Sequence, residues 1–332
     1  MIRSILLDTS TGACAYGITR IGEIPREIME AYRSWLDAGF AAGMDYMANH
    51  LQIRHNPELL LPGSKTVISL AFPYSPRQWR EISLPAIASY AYGRDYHDAI
   101  RKRLAEAVER LKRLFEGEYR ICIDSAPVFE RYWAEKCGIG RRADNGLISV
   151  RGYGTRIFLA EILSTAELPE DSVTLMPGAD CISKNNIQSC IHCGKCRRAC
   201  PAGALKEDSS VDARVCLSYL TIEHRGDWDA IGAEAMSTPA GRLTLFGCDI
   251  CQNVCPMNSP LNNFVPPTEI GEFSPSHTLL TMNAEEAKKM TQSEFSKVFK
   301  GSAIKRTKLA GFLRNADNLR KSAEDSSPAD CV

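Results

Sequence analysis

The chain has 332 residues, and its 40 acidic and 40 basic side chains leave a formal net charge of zero. A chain of this length can bury a sizeable core, and its composition, 44% hydrophobic and 24% charged, is that of a globular protein. The zero balance excludes an overall attraction to nucleic acid or to an anionic membrane, so such a partner must meet a local patch. The sequence has no run of eighteen apolar residues and no secretory leader, which predicts a cytoplasmic protein without a membrane segment.

The first half of the chain predicts an α/β domain. Residues 24–47 are expected to be helical, and a polar loop then leads into a β-branched, apolar strand at 66–72. A helix is predicted at 97–115, where apolar residues recur at helical spacing, and a second strand at 119–124. A helix at 128–137, an apolar stretch at 156–163 and a proline- and acid-rich linker at 168–180 follow.

The sequence therefore predicts three parts. Residues 1–179 form the α/β domain, residues 180–262 a cysteine-rich domain, and residues 263–332 a tail. Two helices are predicted in that tail, at 284–300 and 303–321.

Eight of the thirteen cysteines lie between residues 190 and 255. In a reducing compartment, clustered cysteines indicate metal ligands rather than disulfides. The first run, Cys190 to Pro201, reads C-x2-C-x2-C-x3-C-P and is typical of a [4Fe–4S] cluster, whereas zinc sites favour two C-x-x-C pairs. A shorter run, C-x2-C-x3-C-P, ends at Pro256. The pattern predicts two [4Fe–4S] clusters in a ferredoxin-like domain, with a zinc knuckle as the alternative.

The ligands of the two clusters are expected to be shared between the runs, because the fourth cysteine of such a run ligates the other cluster. The second run is one cysteine short, and Cys216, alone between the runs, is the candidate for the missing ligand. The predicted sets are Cys190, Cys193, Cys196 and Cys255 for one cluster, and Cys200, Cys216, Cys248 and Cys251 for the other. The remaining cysteines are interpreted as small hydrophobes or free thiols: Cys14, Cys122, Cys137, Cys181 and Cys331.

Several segments outside the cysteine runs carry a more specific pattern. They are RHNPELLLPGSKTVISL (54–70), YAYGRDYHDAIRKRL (90–104), DSAPVFER (124–131), CLSYLTIEHRG (216–226) and FKGSAIKRTKLAGFLRN (299–315). With these segments the chain resembles the epoxyqueuosine reductases, cobalamin-dependent iron–sulfur enzymes of the last step of queuosine synthesis in tRNA. The resemblance implies an N-terminal α/β cobalamin-binding domain, a double [4Fe–4S] domain and a short helical tail.

The resemblance also implies the site residues. Asp124 is expected to protonate the departing epoxide oxygen, which favours a carboxyl group with a raised pKa. The alternative for Asp124 is a helix N-cap. The positions that match cofactor-binding residues are Arg54, Asp95, Tyr96, Asn145, Ser218 and Tyr219. For Arg54, Asp95 and Tyr96, a surface ion pair or a core tyrosine is the alternative interpretation.

The resemblance implies two partners, a tRNA with a queuosine-type anticodon and an electron donor such as ferredoxin or flavodoxin. It also implies that the protein is a monomer. The basic residues of the tail are candidates for tRNA contact, with a solvated helix face as the alternative: Lys300, Lys305, Arg306, Lys308, Arg314, Arg320 and Lys321. One segment departs from the family pattern G-x-G-W-x-G-K-N. This chain has GIGRRADN at 138–145, with Arg141, Ala143 and Asp144 in place of Trp, Gly and Lys.

Two other functions remain open from the sequence. One is a related cobalamin and iron–sulfur reductase that acts on a small molecule. The other is a non-catalytic two-cluster electron carrier, which would need the cysteines but not the long α/β domain.

Overall fold

The structure, a computed structural model, describes residues 1–175, 190–258 and 265–319. The strands are β1 Ala15–Arg20, β2 Thr66–Pro73, β3 Ala86–Ile87, β4 Tyr119–Cys122, β5 Gly140–Arg142, β6 Ile148–Val150, β7 Ile157–Ser164, β8 Asp171–Leu175 and β9 Thr244–Phe246. The helices are α1 Ile2–Leu6, α2 Arg26–Asp37, α3 Leu51–His55, α4 Tyr96–Lys112, α5 Glu130–Lys136, α6 Lys195–Ala199, α7 Leu217–Ile222, α8 Ala230–Ser237, α9 Ile250–Asn253, α10 His277–Thr281, α11 Ala284–Lys288, α12 Gln292–Val298 and α13 Lys308–Asp317.

A five-stranded sheet with helices on both faces forms the centre of the first half. Its strand order is β4-β7-β2-β1-β8, and each neighbouring pair is antiparallel. One face packs Ile68 and Leu70 of β2 in the same core as Leu104 of α4, and the other packs Val67 with Trp133 of α5. Because both faces are covered, β2 is buried along its whole length. The expected α/β class is confirmed.

The strand pairing could not be read from the sequence. The predicted strand, helix and strand are present as β2, α4 and β4. However, β7, formed by the apolar stretch after residue 156, lies between β2 and β4 and is antiparallel to both. As a result, β2 and β4 run parallel to each other, which brings the start of α4 close to the end of β4.

Two predicted elements before the cysteines were wrong in part. The helix expected at 24–47 ends at Asp37, because Gly39 follows with a φ of +71°, a left-handed conformation that favours glycine and ends helices. A short 3-10 turn, Asp45–Met47, takes the place of its last part. The linker expected at 168–180 contains β8, which pairs with the edge of β1.

The tail helices are shorter than expected. Residues 284–300 form α11 and α12, because Thr291 and Glu294 make a capping box that begins a new helix. Residues 303–319 form a 3-10 turn, Ala303–Thr307, followed by α13. Residues 320 and 321, the end of the second predicted helix, lie outside the described residues.

The three parts of the chain contact one another. Strand β3 pairs in parallel with β9, which joins the α/β part to the cysteine-rich part. The tail shares a hydrophobic core with this pair, in which Phe295, Phe299 and Phe312 pack with Ile87 and Phe246. The predicted boundaries at 179/180 and 262/263 lie outside the described residues. In the part of the chain that the structure describes, no helix is long and apolar enough to cross a bilayer.

Candidate active site

Asp124 lies just after β4 and faces the start of α4. Its backbone has a φ of +50°, and its N–H donates to the carboxyl group of Glu130 at 2.5 Å. Its Oδ2 lies 3.1 Å from Nε2 of His97, and Tyr96 lies next to the same carboxylate. Helix α5 begins at Glu130 with Phe129 as N-cap, so the interpretation of Asp124 as a helix cap was wrong.

His97 links two carboxylates. Its Nδ1 lies 2.7 Å from Oδ1 of Asp95, and the same oxygen caps α4 by accepting the backbone N–H of His97 at 3.0 Å. Burial lowers the pKa of His97, but the hydrogen bonds to Asp124 and Asp95 outweigh it and raise the pKa to about 9. At neutral pH His97 therefore carries a proton between the two carboxylates.

The expected raised pKa of Asp124 was wrong in direction. Burial raises it, but the hydrogen bond and positive charge of His97 prevail, so the pKa of Asp124 lies below its ordinary value. The raised carboxyl pKa belongs to its neighbour. Burial and the charge of Asp124 raise the pKa of Glu130 to about 8. The proton that the sequence assigned to Asp124 is thus held by the groups around it.

Aromatic rings form a wall beside this carboxylate. Tyr96 stacks on Phe158 with ring centroids 4.1 Å apart and on His97 at the same distance. Tyr46 is exposed, yet burial and then the charge of Glu223 raise its pKa to about 12, and Asp124 adds to the effect. The side chain of Asp124 is 60% exposed, although its surroundings are desolvated. Asp124 is therefore open to solvent on one side and bordered by aromatic rings on the other.

Three other predicted cofactor-binding residues lie on α3 and α7: Arg54, Ser218 and Tyr219. Arg54 donates to the backbone carbonyls of Asn49 and Tyr46 and lies over the ring of Tyr32. Tyr219 accepts the backbone N–H of Gly43 through its hydroxyl at 2.8 Å, and Ser218 precedes it on α7.

Asn145, the last residue of the segment 138–145 that departs from the family pattern, is buried. Its Oδ1 accepts the N–H of Leu147 at 3.2 Å, whereas its Nδ2 has no partner among the described residues. A buried amide donor without a partner is costly, so an unmatched Nδ2 fits a site that a polar ligand completes.

The cysteine thiols lie in two groups. We call Cys190, Cys193, Cys196 and Cys255 the first thiol group, and Cys200, Cys216, Cys248 and Cys251 the second thiol group. In the first group, burial and then the charges of Cys190 and Cys193 raise the pKa of Cys255. In the second, burial raises the pKa of Cys248 to about 12, with further contributions from Cys216 and Cys200. Each group contains the four thiols that one cube needs.

Three of the remaining cysteines lie in the α/β part of the chain. Cys14, Cys122 and Cys137 are buried in hydrophobic cores. Cys181 and Cys331 lie outside the described residues.

The second thiol group is the one next to the carboxylate site. The pKa of Tyr74 is raised by burial and then by the charges of Asp249 and Cys251, so Tyr74 adjoins this group. The ring centroids of Tyr74 and Phe158 lie 4.5 Å apart, and Phe158 stacks on Tyr96. A continuous line of aromatic rings therefore runs from the second thiol group to Asp124.

The first thiol group adjoins the segment that departs from the family pattern. Asp144, which follows β5, is buried, and its Oδ1 lies 2.6 Å from Nδ1 of His192. Its Oδ2 lies 3.9 Å from the guanidinium of Arg197. The donor atoms of Asp144, Cys190 and His192 lie within 4.8 Å of one another. The carboxylate of Asp144 therefore has His192 and Arg197 as its partners, beside the first thiol group.

The tail cations differ in what they bind. Arg306 makes a bidentate pair with Glu223, and Arg314 donates to the carbonyls of Leu220, His224 and Gly226. These two arginines hold the tail on the cysteine-rich part. Lys305 and Lys308 are exposed. Arg320 and Lys321 lie outside the described residues.

Comparisons with known proteins identify the family of the chain. Residues 54–125 match the family model described as epoxyqueuosine reductase QueG, DUF1730, and residues 189–258 match the 4Fe-4S double cluster binding domain. An epoxyqueuosine reductase of Cyclobacterium marinum is 39% identical over 295 residues, which cover 87% of each chain. That of Pseudomonas aeruginosa is 38% identical over 288 residues, which cover 85% of this chain and 74% of the relative.

Solved structures show the same fold. The epoxyqueuosine reductase of Streptococcus thermophilus matches with a TM-score of 0.79 at 24% identity, covering 96% of this chain and 79% of that one. A structure of an epoxyqueuosine reductase with an epoxyqueuosine-modified tRNA-Tyr stem loop matches with a TM-score of 0.77 at 24% identity, covering 96% and 80%.

The paired thiol groups, the double-cluster domain and the α/β domain define an iron–sulfur oxidoreductase with two [4Fe–4S] clusters. The interpretation as a non-catalytic electron carrier was therefore wrong. The identity to its curated relatives and the extent of the match go further: the chain belongs to the epoxyqueuosine reductase family. Cobalamin is the family's other cofactor, and the buried, unmatched Nδ2 of Asn145 fits a bound polar group.

Proposed function

We propose that the chain reduces epoxyqueuosine to queuosine at the wobble position of tRNA, and that Asp124 protonates the departing oxygen with a proton held on His97. The reaction takes two electrons and two protons, breaks both carbon–oxygen bonds of the epoxide, forms a carbon–carbon double bond and releases water. The linked groups Asp95, His97 and Asp124 are the observation that carries the proposal.

The proton relay follows from the geometry. When bound, cobalamin supplies a low-valent cobalt that acts on an epoxide carbon. The oxygen that leaves this carbon develops negative charge and needs a proton. The side chain of Asp124 is 60% exposed, against 30% for His97 and 29% for Asp95, so Asp124 is the relay member most accessible to this oxygen. Because Asp124 is ionised and His97 is protonated at neutral pH, His97 Nε2 supplies the proton through Asp124 Oδ2 over 3.1 Å.

The assignment of the remaining residues is part of the proposal. The first and second thiol groups ligate the two clusters, and Arg54, Asp95, Tyr96, Asn145, Ser218 and Tyr219 lie around cobalamin. Residues 1–179 bind cobalamin and substrate, residues 180–262 hold the clusters, and residues 263–332 form the tail. The protein acts as a cytoplasmic monomer that receives electrons from a carrier such as ferredoxin or flavodoxin.

Residues 138–145, the segment that departs from the family pattern, do not favour the alternative of a small-molecule reductase. Asp144 pairs with His192 and Arg197 beside the first thiol group, whereas the groups around Asp124 are supplied by α4, β4 and α5. A changed cluster environment therefore accounts for Asp144 without a changed substrate.

The test is Asp124→Asn in the holoenzyme. Asparagine keeps the size of the side chain and an oxygen acceptor but has no titrating oxygen to pass a proton on. The variant is expected to bind both clusters and cobalamin and to reduce cobalt, as read from visible spectra, while turnover falls by about 10²- to 10⁴-fold. Turnover is measured by nucleoside analysis of a tRNA stem loop that carries epoxyqueuosine.

Asp98→Asn is the matched control, because Asp98 is exposed in the first turn of α4. Its turnover should equal that of the wild type. Near-normal turnover of Asp124→Asn would contradict the role of Asp124 as proton donor.

A further inference from the structure

We propose that Ile191, Lys195 and Arg198 form the docking surface for a small acidic protein that delivers one electron at a time. We call these three residues the entry surface. The inference rests on the proposed function and adds where the electrons enter. It follows from the order of the two thiol groups and from the charge of the surface next to the first one.

The order of the thiol groups sets the direction of electron flow. The second thiol group adjoins Tyr74, which leads through Phe158 to the Asp124 site. The first thiol group adjoins the second through the contact of α6 with α9 and lies beside the hairpin of β5 and β6. An electron from outside the protein therefore meets the first thiol group before the second.

An exposed apolar side chain marks the outside of the first thiol group. Ile191 directly follows Cys190 and is 52% exposed. Protein–protein interfaces place apolar side chains at their core and polar or charged residues at their rim, so an exposed isoleucine beside cations suits such a contact.

The charge beside Ile191 is positive and not neutralised. Lys195 and Arg198 are exposed, and neither makes an ion pair with a residue that the structure describes. Arg198 donates to the carbonyl of Cys193 at 2.9 Å, which fixes its charge above the ligand loop. Asp144, the nearby carboxylate, is buried and engaged by His192 and Arg197. The entry surface therefore combines an exposed apolar side chain on the ligand loop with two cations of α6 that make no ion pair with a described residue.

This chemistry fits an acidic carrier. Electron-transfer encounters use small interfaces, and complementary charge at their rim speeds association more than it raises affinity. The formal net charge of the chain is zero, so attraction of an acidic protein depends on a local patch. Each encounter oxidises the carrier by one electron and reduces one cluster by one electron. Two encounters supply the two electrons of one epoxide reduction.

The experiment compares two reductants on the reconstituted holoprotein. Stopped-flow bleaching of the cluster absorbance is followed after mixing with reduced flavodoxin, a small acidic carrier, or with dithionite, which needs no docking surface. Lys195→Glu and Ile191→Asp are expected to slow bleaching by flavodoxin about tenfold at low salt. Bleaching by dithionite should stay within about twofold, and high salt should reduce the difference for Lys195→Glu by screening its charge.

Lys297→Glu is the control, since it makes the same charge change on the exposed side of α12. Flavodoxin should reduce this variant as fast as the wild type. If Lys195→Glu and Ile191→Asp also match the wild type, the proposed docking surface is wrong. Conversion of the tRNA substrate with dithionite tests the proposed function separately, because that reaction does not use the entry surface.

Discussion

The charge of Asp95 sets the pH range in which the proton relay works. Asp95→Asn removes one of the two carboxylates that hold His97 protonated. Asparagine is as good a helix cap as aspartate, so its oxygen can still accept the backbone N–H of His97 and α4 should begin at the same residue. The variant therefore changes the pKa of His97 with little change in the fold.

The magnitude follows from the pKa of His97. The rise from 6.5 to about 9 is worth about 3 kcal/mol at 1.36 kcal/mol per unit. This rise is net of burial, which opposes it, so the two carboxylates together contribute more. The bond to Asp95 is the shorter of the two, at 2.7 Å against 3.1 Å. Losing its charge should lower the pKa of His97 by at least about one unit.

The assay is the pH dependence of kcat/KM with dithionite as reductant. Wild-type activity should fall as pH rises through about 9, because His97 then loses its proton. In Asp95→Asn the fall should occur at or below about pH 8, while Asp98→Asn keeps the wild-type profile. A profile of Asp95→Asn that coincides with the wild type would refute the assignment of the proton to His97.

The same pKa makes a prediction about stability. The folded-state pKa of His97 is raised, so the stabilisation that it contributes is fully present below pH 6.5 and is lost as pH rises through about 9. His97→Gln should remove this loss, so the wild type and the variant should differ more in melting temperature at pH 6 than at pH 9.5. An equal difference at the two values would contradict the raised pKa.

Three further results are expected. Cys216→Ser should lower the iron content from about eight to about four per chain with one cubane signal retained in electron paramagnetic resonance, whereas two intact clusters would point to another eighth ligand. Replacing Lys305 and Lys308 by alanine should reduce the slope of log K against log salt for tRNA binding by about one per lost phosphate contact; an unchanged slope would place the tRNA elsewhere. Glu130→Ala should lower kcat, with KM for the stem loop unchanged, because Asp124 loses the acceptor of its N–H. Glu130→Gln retains an acceptor and should restore most of kcat; equal losses in both variants would show that the hydrogen bond is not the cause.

The parts of the site that depend on spacing along the chain were accessible from the sequence. The distances between the cysteines are short and fixed, and the structure places together the same two sets of four thiols, although their ligation remains a prediction. Strand β2 was also predicted correctly, because its β-branched and apolar residues favour a strand. Asp124 was predicted from the family resemblance alone, because nothing in the local sequence DSAP indicates that the backbone of Asp124 is left-handed.

The role of His97 could not be predicted in the same way. The two carboxylates that contact His97 are those of Asp95, two residues before it at the start of α4, and Asp124, 27 residues after it beyond the end of β4. They meet because β7 separates β2 from β4 and so fixes where β4 ends. The direction of the pKa shift at Asp124 depends on this meeting. The sequence did contain one indication of this pairing. His97 lies in the first turn of a helix, and the strand that follows this helix leads to an aspartate.

The core shared by Ile87, Phe246 and Phe312 has a consequence for biogenesis. These residues are far apart in sequence, and Phe312 is synthesised well after the cysteines. Contacts of such long range form late, so Phe246, two residues before Cys248, has no complete core while the nascent chain is still being made. The second thiol group therefore acquires its final surroundings only after translation has passed α13. We therefore expect iron–sulfur assembly at this group to be completed after translation.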